Sequence, residues 1–155
     1  MSFVVTGLSP APFSDLFGAD AAALAEAGAI RRRVDAAPGF PCRIRLVDAT
    51  PGETVLLLNH EHQPADTPYR SRHAIFVTEG ADAAARYVDQ IPPSLVARLL
   101  ALRAFDAEGM MLDAEVVDGA QAEPLIERLL ADPRTDYLHA HAAKRGCYLA
   151  RIDRL

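Results

Sequence analysis

Hydrophobic and polar positions change period repeatedly along the chain, and the changes divide it into short elements. Phe3 to Leu8 is an apolar run of strand length. Asp20 precedes a run of alanines, with Leu24 and Glu26 among them, that stops at Gly28. An N-cap, strong helix formers and a glycine stop predict a short helix. Ala29 to Asp35 reads as a strand carrying Arg31, Arg32 and Arg33, and Pro38-Gly39-Phe40-Pro41 as a rigid turn. Cys42 to Val47 alternates apolar and basic residues, the period of a half-buried strand, with Arg43 and Arg45 on one face and Cys42, Ile44 and Leu46 on the other. Glu53 to His62 is also strand-like, and its unbroken Val55-Leu56-Leu57-Leu58 centre implies burial on both faces. Pro64 to Pro68 is loop, and Arg70 to Thr78 is another strand.

The alanine-rich segment Gly80 to Asp89 predicts a helix. Residues 94 to 105 fit a helix by the spacing of Leu95, Leu99 and Leu102, and fit a strand equally well. The turn chemistry of Asp106-Ala107-Glu108-Gly109, followed by Met110 to Val117, favours a strand from Leu99 onward. Gln121 to Ala131 is the clearest helix. Leu125 with Leu129 and Ile126 with Leu130 form i, i+4 pairs, and Pro124 is tolerated in the first turn. Tyr137 to Ala143 and Cys147 to Asp153 are the last two strands. Many strands with a few interspersed helices and short turns predict one α+β domain over residues 1–155, with a largely antiparallel sheet.

Composition narrows the function classes. With no tryptophan and 6% aromatic residues, the core must be aliphatic. A formal charge of −5 argues against nucleic acid as a partner, because phosphate neutralisation needs a basic surface. No apolar run approaches the roughly 18 residues of a membrane span. The N-terminus lacks a basic region followed by an apolar stretch, so a cytoplasmic location is expected, with Cys42 and Cys147 as free thiols. Phosphate-loop, dinucleotide-fingerprint, nucleophile-elbow and Cys-x-x-Cys motifs are all missing.

Chemistry concentrates in the final hairpin, Tyr137-Leu-His-Ala-His-Ala-Ala-Lys-Arg-Gly-Cys-Tyr148. A three-residue loop, Lys144-Arg145-Gly146, would set Ala143 opposite Cys147, His141 opposite Leu149 and His139 opposite Arg151. Tyr137, His139, His141, Cys147, Leu149, Arg151 and Asp153 would then share one face, and Leu138, Ala140, Ala142, Tyr148, Ala150 and Ile152 the other. His139 and His141 would project about 7 Å apart, fit to chelate a transition metal with a third ligand from elsewhere. His60 and His62 form a second such pair around Glu61. Alternatively, His139 or His141 acts as a base toward Cys147, whose thiolate Lys144 and Arg145 would favour. Arg43 with Arg45, and Arg70 with Arg72, offer guanidinium forks for carboxylate or phosphate. Cys42, on one strand face with Ile44 and Leu46, is expected in the core.

Pro38-Gly-Phe-Pro-Cys-Arg43, Glu61-His62-x-Pro-x-Asp-x-Pro-Tyr-Arg70, Leu102-Arg-Ala-Phe-Asp106 and His139-x-His141-x-Ala-Lys-Arg-Gly-Cys-Tyr148 occur in that order. The set resembles the bacterial family known as domain of unknown function 1203, over nearly the whole chain. Where that family's pattern commonly has asparagine after the second histidine, this chain has Ala142. The resemblance implies a compact bacterial protein and supplies no activity or catalytic residue.

The residues themselves lead to a pocket for a small anionic molecule, lined by His139, His141, Cys147, Lys144 and Arg145, with Arg43 or Arg70 as charge partners. An enzyme built on that pocket would be a hydrolase or group transferase with a histidine base. The alternatives are a non-catalytic interaction module and a metal protein using the His-x-His pairs.

Overall fold

The computed structural model describes residues 1–155 and contains nine strands and three α-helices. In chain order these are β1 (Phe3–Thr6), α1 (Ala21–Glu26), β2 (Ile30–Arg33), β3 (Thr54–Gln63), β4 (Ser71–Thr78), β5 (Arg86–Val88), α2 (Pro93–Val96), β6 (Leu99–Phe105), β7 (Met111–Asp118), α3 (Ala122–Ala131), β8 (Tyr137–Ala142) and β9 (Tyr148–Arg154). A six-stranded sheet has the order β5-β1-β9-β8-β6-β7, and a three-stranded sheet the order β2-β3-β4. Every pairing between named strands is antiparallel, so the chain is an α+β protein. No helix is long and apolar enough to cross a membrane.

Helix α3 covers one face of the large sheet. Its apolar stripe, Ile126, Leu129 and Leu130, packs with Leu100, Leu102, Leu138, Ala140, Leu149, Ala150 and Ile152. These residues alternate along β6 and β8, as one-sided burial of a sheet requires, and in β9 from Ala150 onward, with the neighbouring Leu149 added to them. A second core joins Leu56 and Leu58 of β3 to Ile75 and Val77 of β4, Leu24 of α1, and Phe13, Cys42 and Ile44. Helix α1 starts where expected, with the Asp20 carboxylate accepting from Ala23 N at 2.8 Å.

Two expected elements differ. Cys42 to Val47 is a tight loop rather than a strand. Leu46 N donates to Cys42 O at 2.9 Å, and Leu46 itself has φ of 56°. Its alternating pattern has another cause: Ile44 lies in the core of the small sheet and Leu46 in that of the large one. The loop thus joins the two cores. It is also tied on either side by backbone hydrogen bonds, Ser94 N to Leu46 O beside Leu95 of the large-sheet core and Arg43 N to Phe76 O of β4. Gly80 to Asp89 is not helical either. A short alanine run without an apolar stripe has little to stabilise a helix, and Arg86–Val88 instead adds an edge strand to β1. Residues 94 to 105 contain both of the alternatives, the single turn α2 and then β6 from Leu99.

Close backbone crossings hold this arrangement. A Cβ on Gly119 would stand 1.9 Å from Leu95 O and 2.7 Å from Arg98 O. A Cβ on Gly146, by contrast, would meet no atom, and only its φ of 79° disfavours a side chain. We therefore expect Gly119→Ala to lower unfolding free energy by about 3 kcal/mol, at the upper end of overpacking costs, and Gly146→Ala by about 1 kcal/mol. Urea denaturation of the two variants checks the order.

Candidate functional site

The face of the large sheet turned away from α3 carries the titratable groups. In β8 and β9, Tyr137 pairs with Asp153 and His139 with Arg151, as the hairpin reading expects. Nearer the turn the register departs from it. Ala142 N donates to Cys147 O, and Gly146 N to Ala142 O, so the loop holds one residue more, Ala143 to Gly146. A bulge after Ala140 absorbs the extra residue and sets His141 opposite Tyr148 instead of Leu149. The consequence is an exchange of faces. Leu149 enters the core under α3, and the Tyr148 ring joins the histidines.

A second bulge, between Glu61 and Gln63, acts on His62. His60, two residues earlier, packs edge-on to Phe13. His62 turns instead toward the large sheet and stacks on Tyr148, with ring centroids 5.4 Å apart and planes 7° apart. The expected His60/His62 chelating pair is therefore split. In its place His62 meets His141, with centroids at 5.0 Å, and His139 at 6.2 Å. One ring nitrogen from each of His62, His139 and His141 lies within 4.8 Å of the other two.

These imidazoles are poorly satisfied. His139 and His141 are 4% and 1% exposed. His141 Nδ1 lies 2.9 Å from Gly146 O; a carbonyl only accepts, so Nδ1 carries the hydrogen and Nε2 is left as a bare lone pair. That Nε2, with Nδ1 of His62 and of His139, is buried with no hydrogen-bond partner. Each such atom costs on the order of 1–3 kcal/mol. Burial pushes His139 and His141 down to about 3 and His62 to about 4, aided by their mutual proximity and by Arg103. All three are neutral near pH 7. Phe105 and Tyr137 wall the cluster beside His139. Arg103 stands across from His139 on β6, half-buried, with burial lowering its pKa and with no ion pair of its own.

Cys147, Arg43, Lys144 and Arg145 come together elsewhere, around a cavity of about 480 Å³ at the β8–β9 turn. Arg43 is 2% exposed. Its Nε donates to Tyr148 O at 2.8 Å and its Nη1 to Pro41 O at 2.6 Å. Burial lowers its pKa, and the Cys147 sulfur lies beside it. His139 and His141 do not line this cavity, and neither is hydrogen-bonded to Cys147, so the expected histidine base for the thiol is not formed. Arg43 and Arg45 do not share a face, since their loop is not a strand; Arg45 pairs with Glu53. Arg70 lies apart, exposed and paired with Glu61 at 2.5 Å. Cys42 is buried in the core and accepts from Thr78 N at 3.3 Å.

Sequence reasoning missed three contributors. Arg98 lines the cavity and is bound by Asp48, and His73 lines it from β4. Arg103 lies in the Leu102–Asp106 segment, and strand alternation from β6 would have placed it on the histidine face.

A family model described as protein of unknown function (DUF1203) matches residues 39–154, a span that holds both sites and omits β1, α1 and β2. No curated protein and no solved structure matches the chain.

The buried histidines make stability depend on pH. Their folded values lie below the ordinary 6.5, so below about pH 6.5 the unfolded chain binds protons that the folded chain refuses. Stability must fall as pH drops from 6.5 toward 3, by up to about 1.4 kcal/mol per pH unit for each of His139 and His141. Urea denaturation between pH 7 and pH 5, with a chelator present so that only protons compete for the ring nitrogens, should show this slope. His139→Gln should remove the His139 share of the slope and leave that of His141.

Proposed function

The chain belongs to the DUF1203 family, whose description assigns no activity, and we propose that it binds a small organic anion in the cavity at the β8–β9 turn. The observation that carries this reading is the Arg43 guanidinium. It is almost fully buried, donates to two backbone carbonyls with the Cys147 sulfur beside it, and opens onto a cavity whose lining holds no carboxylate. A buried charge is ordinarily paired.

The other charged residues of the lining are Arg98, Lys144 and Arg145, and no aspartate or glutamate is among them. In a protein of net charge −5, this local excess of cations is a departure from the average. Arg98 is already engaged by Asp48, through a contact of 2.5 Å. That leaves Arg43, Lys144 and Arg145 to meet an oxyanion. A guanidinium fork matches both carboxylate and phosphate. Leu57, Phe76 and Leu99 supply an apolar wall, so the ligand carries an apolar body behind its charged end. The volume suits a small molecule, since ligand pockets run from about 300 to 1,000 Å³.

The reading is of binding: His139 and His141, the bases expected for Cys147, do not line the cavity, and the one histidine that does, His73, has its Nδ1 against the Ala74 carbonyl. Lys144 and Arg145 lie on the turn, outside the core, so replacing them spares the fold. In calorimetry at low ionic strength, phenyl phosphate or benzoate should bind, and the double variant Lys144→Glu/Arg145→Glu should weaken that binding at least about tenfold, near 1.4 kcal/mol. Bound probe should also slow alkylation of Cys147 by iodoacetamide. Absence of binding by either probe at millimolar concentration, or equal affinity in the double variant, would refute the assignment.

A further inference from the structure

We propose that His62, His139 and His141 form a binding site for one divalent first-row transition-metal ion, with an open coordination position that takes an anion held by Arg103. The site is separate from the cationic cavity, since none of the three histidines lines it.

Three independent features converge on it. The first is geometric: one nitrogen from each ring lies within 4.8 Å of the others. Nitrogens sharing a tetrahedral ion at ~2.0–2.1 Å stand ~3.3 Å apart, so a small inward rotation of the rings completes the set. The second is chemical. Each ring has a buried nitrogen without a hydrogen-bond partner, and on His141 the Gly146 carbonyl fixes the tautomer that leaves Nε2 bare. A backbone carbonyl holding the far side of a ligating imidazole is the usual support for a metal-bound histidine. The third is mechanical. His139 and His141 sit on a strand paired on both sides, and His62 is clamped flat against Tyr148.

An all-imidazole set without thiolate suits zinc, copper, iron or nickel rather than calcium or magnesium. Three protein ligands leave a fourth position free for solvent or another molecule. Arg103 defines what enters there. It lies across the strand pair from His139 on the same face, near enough to perturb all three histidines, and makes no ion pair. A cation beside a dication is tolerable only with an anion between them, so the fourth ligand is hydroxide, carboxylate or a similar anion.

The test uses the full chain, free of any polyhistidine tag, stripped with chelator and titrated with Zn²⁺ or Co²⁺. We expect one ion per chain, and d–d bands of four- or five-coordinate Co²⁺. His62→Ala, at a strand end where it spares both cores, should weaken binding at least 100-fold, and His139→Ala likewise. His60→Ala, His73→Ala and Cys147→Ser should leave affinity unchanged. Azide should shift the Co²⁺ bands, and Arg103→Met should retain the ion while weakening azide at least tenfold. No bound ion in the wild type, or affinity equal in wild type and His62→Ala, would overturn the metal assignment. Equal azide affinity in Arg103→Met would overturn the role of Arg103. Should His139→Ala fail to fold, His62→Ala with an unchanged circular dichroism spectrum decides the matter alone.

Discussion

The loop from Pro41 to Asp48 is the constraint on which the rest of the architecture depends. Two sheets that share no strand must be held in register by something other than ladder hydrogen bonds. The loop does this by placing Ile44 in one core and Leu46 in the other, and by sending the Arg43 guanidinium to the Tyr148 carbonyl of β9. The passage is tight: a Cβ on Gly7 would lie 2.1 Å from Ile44 O. Because Arg43 is anchored at Tyr148, the same contact positions the cavity on one side of β9 and the Tyr148 ring against the histidines.

Two β-bulges then decide which groups meet. A bulge shifts the side-chain parity of everything beyond it. In β3 the shift separates His62 from His60, and in the β8–β9 pair it exchanges Tyr148 for Leu149. Each on its own would leave a pair of histidines with a gap beside it. Together they seat the His62 ring on Tyr148 and bring three imidazoles to one place. The electrostatics follow from that packing. Neutral imidazoles are favoured where water is excluded and Arg103 stands nearby, and no carboxylate intervenes to reverse the effect.

Much of the scaffold was legible beforehand for a physical reason. Strand alternation in β6 and β8, and in β9 from Ala150 onward, and the i, i+4 stripe of α3 are local signatures of one-sided burial, and they reappear as a single core. The Asp20 cap and the Asp106–Gly109 turn rest on hydrogen bonds within a few residues, so sequence alone specifies them. Cys42 to Val47 misled because alternation reports that successive residues face different surroundings. It does not report whether those surroundings are two sides of a strand or two separate cores.

The sequence by itself determined the α+β class, the common face of His139 and His141, and the gathering of Arg43, Lys144, Arg145 and Cys147 into the set worth watching. Tertiary structure alone decided that these fall into two places, that His62 and Arg103 join the histidines, and that Arg70 stands apart with Glu61. Parity along a strand is a property of neighbouring peptide units, whereas bulges and the crossing of the Pro41–Asp48 loop are set by contacts between residues dozens of positions apart. No local pattern carries that information.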